Sequence, residues 1–301
     1  MQDRSHGIQT GCDMPTVPTS SFQAILRHLV EHRGLDLSRY KESYLRRRLL
    51  VRVRALRLEG TDEYARYLKR HPEEIGPLQR ALSIKVTGFF RNRSCFAFLK
   101  ERVVPDLVQR SAALRRPVTV WSAGCATGEE TYSLAALFAS ALRPGHGPRV
   151  RILGTDIDEG ALEAARRGVF LATSLLAGAP EREARHFIAR GDGAAAPGDA
   201  LRRMVTFGRE SLLDPFDRKD LDLVVCRNVL IYFSLDHQET ILSRFAAALR
   251  GCGYLVLGRV ERLFGPARGL FEVASTRDRV YRRLPLGAPL ARPLDAGAAC
   301  A

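Results

Sequence analysis

From about residue 118 the sequence alternates between two hydrophobic periods, and this constrains the fold more than any other feature. Short apolar runs at 118–121, 150–155, 221–226 and 253–258 are bounded by turn residues and read as buried strands. Residues 129–142, 160–167 and 236–250 carry helical spacing, and Val280 and Tyr281 end a last strand. Strands alternating with helices predict an α/β, Rossmann-like class: a mostly parallel sheet with helices on both faces. Such sheets take ligands at the carboxyl ends of their strands, near the point where strand order reverses.

Upstream the texture is purely helical. Phe22, Ile25, Leu26 and Leu29 mark a first helix with Ser21 as its N-cap and Gly34 at its end. A second helix spans about 41–58, with Leu45, Leu49, Val53 and Leu56 on one face. A third covers 61–70, capped by Thr61 or Asp62, and a fourth lies near 75–83. The predicted organisation is therefore a disordered tail at 1–20, a small all-helical domain at 21–86, and a linker segment with a helix at 87–117. An α/β domain follows at 118–283, then a second disordered tail at 284–301. Residues 171–204 break the alternation with Ala, Gly, Pro and charges, and read as an inserted subdomain or a long loop.

The first strand runs into Ser122-Ala123-Gly124-Cys125-Ala126-Thr127-Gly128, with a helix opening at Glu129. Small residues after a buried strand let a ligand approach the backbone closely. No Gly-Lys-Ser/Thr follows, and the spacing is not G-x-G-x-x-G, so a nucleoside ligand without a pyrophosphate fits best. Glu129 or Glu130 can pair with a ligand ammonium. At the tip of the second strand stand Asp156 and Asp158. An acidic residue there accepts ribose hydroxyls, or else caps the next helix. The assignment made is ribose for Asp156 and cap for Asp158. The third strand ends in a polar cluster, Cys226-Arg227-Asn228, followed by Val229 to Phe233. Here Asn228 can bond a cofactor, and Tyr232 is either near the reacting centre or a packed aromatic. Lys85-Val86-Thr87-Gly88-Phe89-Phe90-Arg91 is either a clamp on a mixed apolar and charged ligand or a hinge with a buried Phe pair.

Several classes are excluded or narrowed. No run of 18 apolar residues exists, so no membrane span is expected, and no apolar leader marks the N-terminus. Six scattered Cys without a C-x-x-C pair, and no Cys/His cluster at ligand spacing, predict a cytoplasmic protein with reduced thiols and no metal. The net charge of +14 predicts an acidic partner, against a merely solvated Arg-rich surface.

Together these segments resemble the CheR-type chemotaxis receptor methyltransferases, which methylate glutamate side chains. The match is ordered: Thr87 to Arg91, Val120 to Ser133, Thr155 to Asp158, Cys226 to Phe233, and Gly253 to Gly258. The resemblance implies a class I methyltransferase fold with S-adenosylmethionine as donor and S-adenosylhomocysteine as product. It implies glutamates on a chemoreceptor's helical cytoplasmic domain as acceptors, and a monomer working in the cytoplasm. By the same resemblance Thr87, Arg91, Glu129, Asp156, Ser211, Leu212, Asn228 and Val229 contact the cofactor, with Arg91 and Tyr232 nearest the reaction. Lys85 and Ser211 stand where the family commonly has Asn. Residues 191–200 lack the β-type pattern of members that grip a receptor tail.

The helical domain carries 15 Lys and Arg against 8 Asp and Glu over residues 21–86. On its second helix Arg46, Arg47, Arg54 and Arg57 fall within about 100° of arc, apart from the apolar stripe. They are the expected docking face for an acidic substrate helix. The alternatives are a nucleic-acid methyltransferase, supported by charge but not by the post-strand motif, and a non-enzymatic cofactor-binding signalling protein. No nucleic-acid partner and no membrane insertion are expected.

Overall fold

The computed structural model describes residues 19–33, 37–82, 87–142 and 149–285. It divides between residues 84 and 85 into two compact units. The predicted tails lie outside the described residues except for 19, 20, 284 and 285, as do Gly34 and Lys85.

The first unit holds four helices: α1 (Thr19–Arg33), α2 (Glu42–Ala55), α3 (Thr61–Arg70) and α4 (Ile75–Leu82). Its core is the predicted apolar stripes, with Phe22, Ile25, Leu29, Leu45, Leu49 and Val53 all buried. A polar knot closes it. Arg52 donates to both carboxylate oxygens of buried Glu74, at 2.7 and 2.9 Å, and the Tyr64 hydroxyl donates to the same group at 3.0 Å. That bidentate pairing leaves the carboxylate fully satisfied, which a buried charge requires.

Three expectations for this unit need correction. Helix α1 starts at Thr19, so Ser21 is not its cap; the Ser21 hydroxyl instead donates to Asp62. Gly60, not Thr61 or Asp62, occupies the cap of α3, because Thr61 is buried at the first helical position. Helix α2 ends at Ala55, and Arg57 lies beyond it at φ 57°, so it leaves the helical arc shared with Arg46, Arg47 and Arg54.

The second unit is built on a seven-stranded sheet. Its strands are β1 (Val118–Ala123), β2 (Val150–Asp156), β6 (Val205–Arg209), β7 (Leu221–Cys226), β8 (Leu249–Leu257), β9 (Phe271–Ser275) and β10 (Val280–Arg283), in the order β6-β2-β1-β7-β8-β10-β9. The first five are parallel, while β10 runs antiparallel to both β8 and β9. Strand order reverses between β1 and β7, so their carboxyl ends flank the crevice of a doubly wound sheet. Helices α5 (Arg93–Phe98), α6 (Val104–Ala113), α7 (Glu129–Ala141), α8 (Glu159–Arg167) and α12 (Leu235–Ala248) complete the layers. Residues 131–138 of α7 are all buried, as in a helix covered on every side.

At the amino ends of β1 and β7 the buried Asp222 carboxylate takes both terminal nitrogens of Arg116, at 2.8 and 2.7 Å, and the Thr119 amide. Removing one partner of such a pair costs about 3–5 kcal/mol, because the other stays buried and charged.

The insertion is a folded subdomain. It comprises β3 (Phe170–Leu171), α9 (Ala172–Gly178), α10 (Glu181–Ala184), β4 (Phe187–Ala189), β5 (Ala194–Pro197) and α11 (Asp199–Met204). Its three strands form an antiparallel sheet in the order β3-β5-β4. The expectation of no β pattern at 191–200 is thereby overturned: β5 is Ala-Ala-Ala-Pro, buried along its length and paired on both sides. Burial between two neighbours overrides the poor strand propensity of Ala. Among the described residues no helix is long and apolar enough to cross a membrane.

Candidate functional site

The loop after β1 is tied to the end of β2. The amides of Gly124 and Cys125 donate to the Thr155 carbonyl at 2.8 and 2.9 Å, and the Ala126 amide donates to Asp156 at 2.8 Å. The other Asp156 oxygen accepts the Asp158 amide at 3.0 Å. The carboxylate is thus fixed in orientation while each oxygen keeps a lone pair for a ligand. Burial pushes its carboxyl above the usual Asp range, and the backbone amides oppose that. Asp158 caps α8, accepting the Ala161 amide at 2.9 Å, as the spacing predicts.

Gly124 has φ +75°, and a Cβ there would overlap the Val229 side chain from the loop after β7. The loops of β1 and β7 therefore meet across the switch point, and only glycine allows that approach. Asn228, one residue earlier, stands at φ 62°. Ala126 at 48°, Phe90 at 49° and Asn92 at 65° share this left-handed backbone. Such strain persists where surrounding structure enforces it, and for a bulky Phe it is exceptional. Here Asn228, Ala126 and Phe90 lie in segments already singled out from the sequence, and Asn92 stands one residue past Arg91.

The two glutamates that open α7 separate into different roles. Both Glu130 oxygens are engaged, one by the Ser122 hydroxyl at 3.0 Å and the other by Arg227 at 3.1 Å. Glu129 is half-buried, and its carboxylate accepts the neighbouring Thr127 hydroxyl at 2.6 Å. It is the better partner for a ligand cation.

In the segment before α5, Phe89 and Phe90 are buried and Arg91 is exposed. Phe89 packs edge-on against Phe170 and Phe187 of the insertion, at 5.0 and 5.3 Å, and Phe90 lies against Phe96. The rings are core, which matches the buried-Phe-pair alternative rather than the clamp; Thr87 is half-buried. The Phe90 amide donates to the Ser133 hydroxyl of α7 at 3.0 Å, and Arg227 donates to the Arg91 carbonyl at 2.7 Å. Next to β6, Ser211 accepts the Leu213 amide, Leu212 is buried, and the Glu210 amide donates to the Asp156 carbonyl. Tyr232 is half-buried in the short turn Leu230–Tyr232.

The structure thus brings Arg91, Glu129, Asp156, Ser211, Leu212, Asn228, Val229 and Tyr232 to connected loops at one edge of the sheet. Arg46, Arg47, Arg54 and Arg57 belong to the other unit. Of these, Arg47, Arg54 and Arg57 are exposed, whereas Arg46 pairs with Glu42 at 2.5 Å and lies over the Phe22 ring at 4.4 Å. Arg46 is to that extent spent on packing.

Sequence reasoning assigned no role to Arg227 or Glu261. Arg227 ties the β7 loop to Glu130 and Arg91, as given above. Glu261 accepts four backbone amides from the loops after β7 and β8. Arg227 stands inside the Cys226–Phe233 motif, and Glu261 three residues past the Gly253–Gly258 one. Three buried thiols are poor nucleophiles: burial raises Cys125 and Cys226, and pushes Cys95 up to about 11.

The sequence matches the family described as CheR methyltransferase, SAM binding domain, over residues 85–280. It matches the CheR methyltransferase all-alpha domain over residues 20–83. It is 36% identical over 261 residues to chemotaxis protein methyltransferase 2 of Pseudomonas aeruginosa, covering 85% of this chain and 91% of that protein. To the chemotaxis protein methyltransferase of Listeria innocua it is 33% identical over 234 residues, 78% of this chain and 87% of that one. It is also 38% identical over 255 residues to an uncharacterized 104.1 kDa protein of Rhodobacter capsulatus. That match covers 83% of this chain and 26% of the larger protein, so the chain spans about a quarter of that relative.

Proposed function

The chain belongs to the CheR methyltransferase family, and from that premise we propose that it transfers a methyl group from S-adenosylmethionine to glutamate side chains on the helical cytoplasmic domain of a chemoreceptor. The observation that carries this reading is the Gly124–Gly128 loop bonded to Thr155 and Asp156, with Val229 seated on Gly124. It is a closed floor with an oriented carboxylate and no phosphate-binding lysine.

These residues fit the cofactor's parts. Asp156 offers two anchored acceptors for ribose hydroxyls. Glu129 suits the amino group and Arg91 the carboxylate of the methionyl moiety. Ser211, Leu212, Asn228, Val229 and Thr87 complete the proposed contacts. When bound, S-adenosylmethionine supplies a methyl group made electrophilic by its sulfonium. The acceptor glutamate is ionised near neutral pH, so no residue has to remove a proton before its oxygen bonds to the methyl carbon and the carbon–sulfur bond breaks. What the protein contributes is alignment and exclusion of water, with Arg91 and Tyr232 nearest the transfer. This agrees with the buried, protonated thiols. In this reading the enzyme works in the cytoplasm as a monomer, and the exposed arginines of α2 meet the acidic receptor helix.

The test is tritiated methyl transfer to purified cytoplasmic fragments of chemoreceptors. Label that is released by mild base, and that disappears with Asp156→Ala, is the expected result. Label stable to base, or transfer to RNA instead of receptor, overturns the reading.

A further inference from the structure

Glu261 lies four residues beyond β8, in a side chain only 4% exposed. One carboxylate oxygen accepts the amides of Gly258 at 2.5 Å and Asn228 at 2.9 Å. The other accepts Val229 at 2.9 Å and Leu230 at 2.8 Å. Three of these donors are consecutive residues of the turn after β7, the turn whose Asn228 is held in a left-handed conformation. Consecutive amides converging on one point form an electropositive concavity. An ionised acceptor inside it makes shorter and stronger bonds than a neutral one.

The far side of the same turn is anchored separately, through Arg227 to Glu130 and to the Arg91 carbonyl. Between these two anchors lie Asn228 and Val229. Val229 is the side chain that meets Gly124 across the switch point.

We propose that Glu261 is a positioning residue for the cofactor. Its carboxylate sets the backbone of Asn228 to Leu230, and through it the faces that Asn228 and Val229 present to S-adenosylmethionine. It governs affinity for the cofactor and leaves the transfer step and receptor docking to other groups. The inference rests on the assignment of Asn228 and Val229 as cofactor contacts. Arg227 keeps one end of the turn in place, so loss of Glu261 loosens the site without dismantling it.

The decisive variant is Glu261→Gln, which keeps size and shape but turns an amide N–H toward converging backbone donors. Binding of S-adenosylhomocysteine is measured by calorimetry, and KM and kcat are measured with saturating receptor fragment. The expected result is a dissociation constant and a cofactor KM raised about tenfold, the loss that goes with leaving buried donors unmet. The kcat and the receptor KM stay near wild type, and Glu261→Asp, which keeps the charge, recovers part of the affinity. Wild-type affinity in a folded Glu261→Gln protein, or a fall in kcat at unchanged cofactor KM, overturns the proposal while leaving the proposed function standing. If Glu261→Gln does not fold, Glu261→Asp decides: unaltered cofactor affinity in that variant also overturns it. Absence of S-adenosylhomocysteine binding by the wild-type protein would overturn both readings.

Discussion

Asp156 shows how a single carboxylate can carry a pH dependence. Its carboxyl is raised by burial, with the amides of Ala126 and Asp158 pulling the other way. A raised value means that protonation begins at a higher pH than for a free Asp, so the ionised form proposed to accept two ribose hydroxyls is lost earlier on acidification. Binding of S-adenosylhomocysteine is therefore expected to weaken on acidification, starting above the pH range in which an ordinary Asp titrates. In Asp156→Asn it should be weak and flat with pH. Calorimetric titrations at several pH values check this, and a flat wild-type profile would count against the assignment. In the division of labour between Asp156 and Asp158, the cap is legible in the sequence, because capping depends on residues three apart. That between Glu129 and Glu130 is not, because the arginine that occupies Glu130 comes from 97 positions away.

At the scale of elements, legibility follows how local the cause is. The parallel strands and α7 declare themselves through apolar runs and helical spacing. Strand β5 does not, since three alanines form a strand only because β3 and β4 pair with it. Strands β6 and β9, which end the sheet on its two sides, also escape the pattern; their buried and exposed positions do not alternate cleanly. The insertion to which β5 belongs is wedged directly against the 87–93 segment. A Cβ on Gly178, the last residue of α9, would fall on the Phe89 carbonyl oxygen, and Arg93 donates to the Ala177 carbonyl at 2.7 Å. Backbone cannot yield as a flexible side chain can. Gly178→Ala is thus expected to shift the 87–91 segment and lower S-adenosylhomocysteine affinity severalfold, with faster proteolysis of the insertion. Unaltered affinity in that variant would show that the two segments move independently.

For the whole molecule, the sequence already separates a basic helical unit from a sheet-based one, because a change of hydrophobic period survives averaging over many residues. The exposed arginines of α2 belong to the former and the loops at the switch point to the latter, so the two proposed functions are separable by mutation. Reversing charge at Arg47 and Arg54 is expected to weaken receptor methylation about tenfold or more at low salt, less at high salt, with S-adenosylhomocysteine affinity unchanged. Equal methylation by the double variant would remove α2 from the docking face. The sheet unit carries one further consequence. Trp121 is the sole tryptophan of the chain, buried in β1. Its indole donates to the Thr155 hydroxyl at 2.9 Å, while the Thr155 carbonyl takes the amides of the ligand loop. The molecule therefore holds its single tryptophan one residue's width from the floor of its site. Its emission reports the ordering of that floor from one position, so cofactor binding can be followed optically in the unlabelled protein.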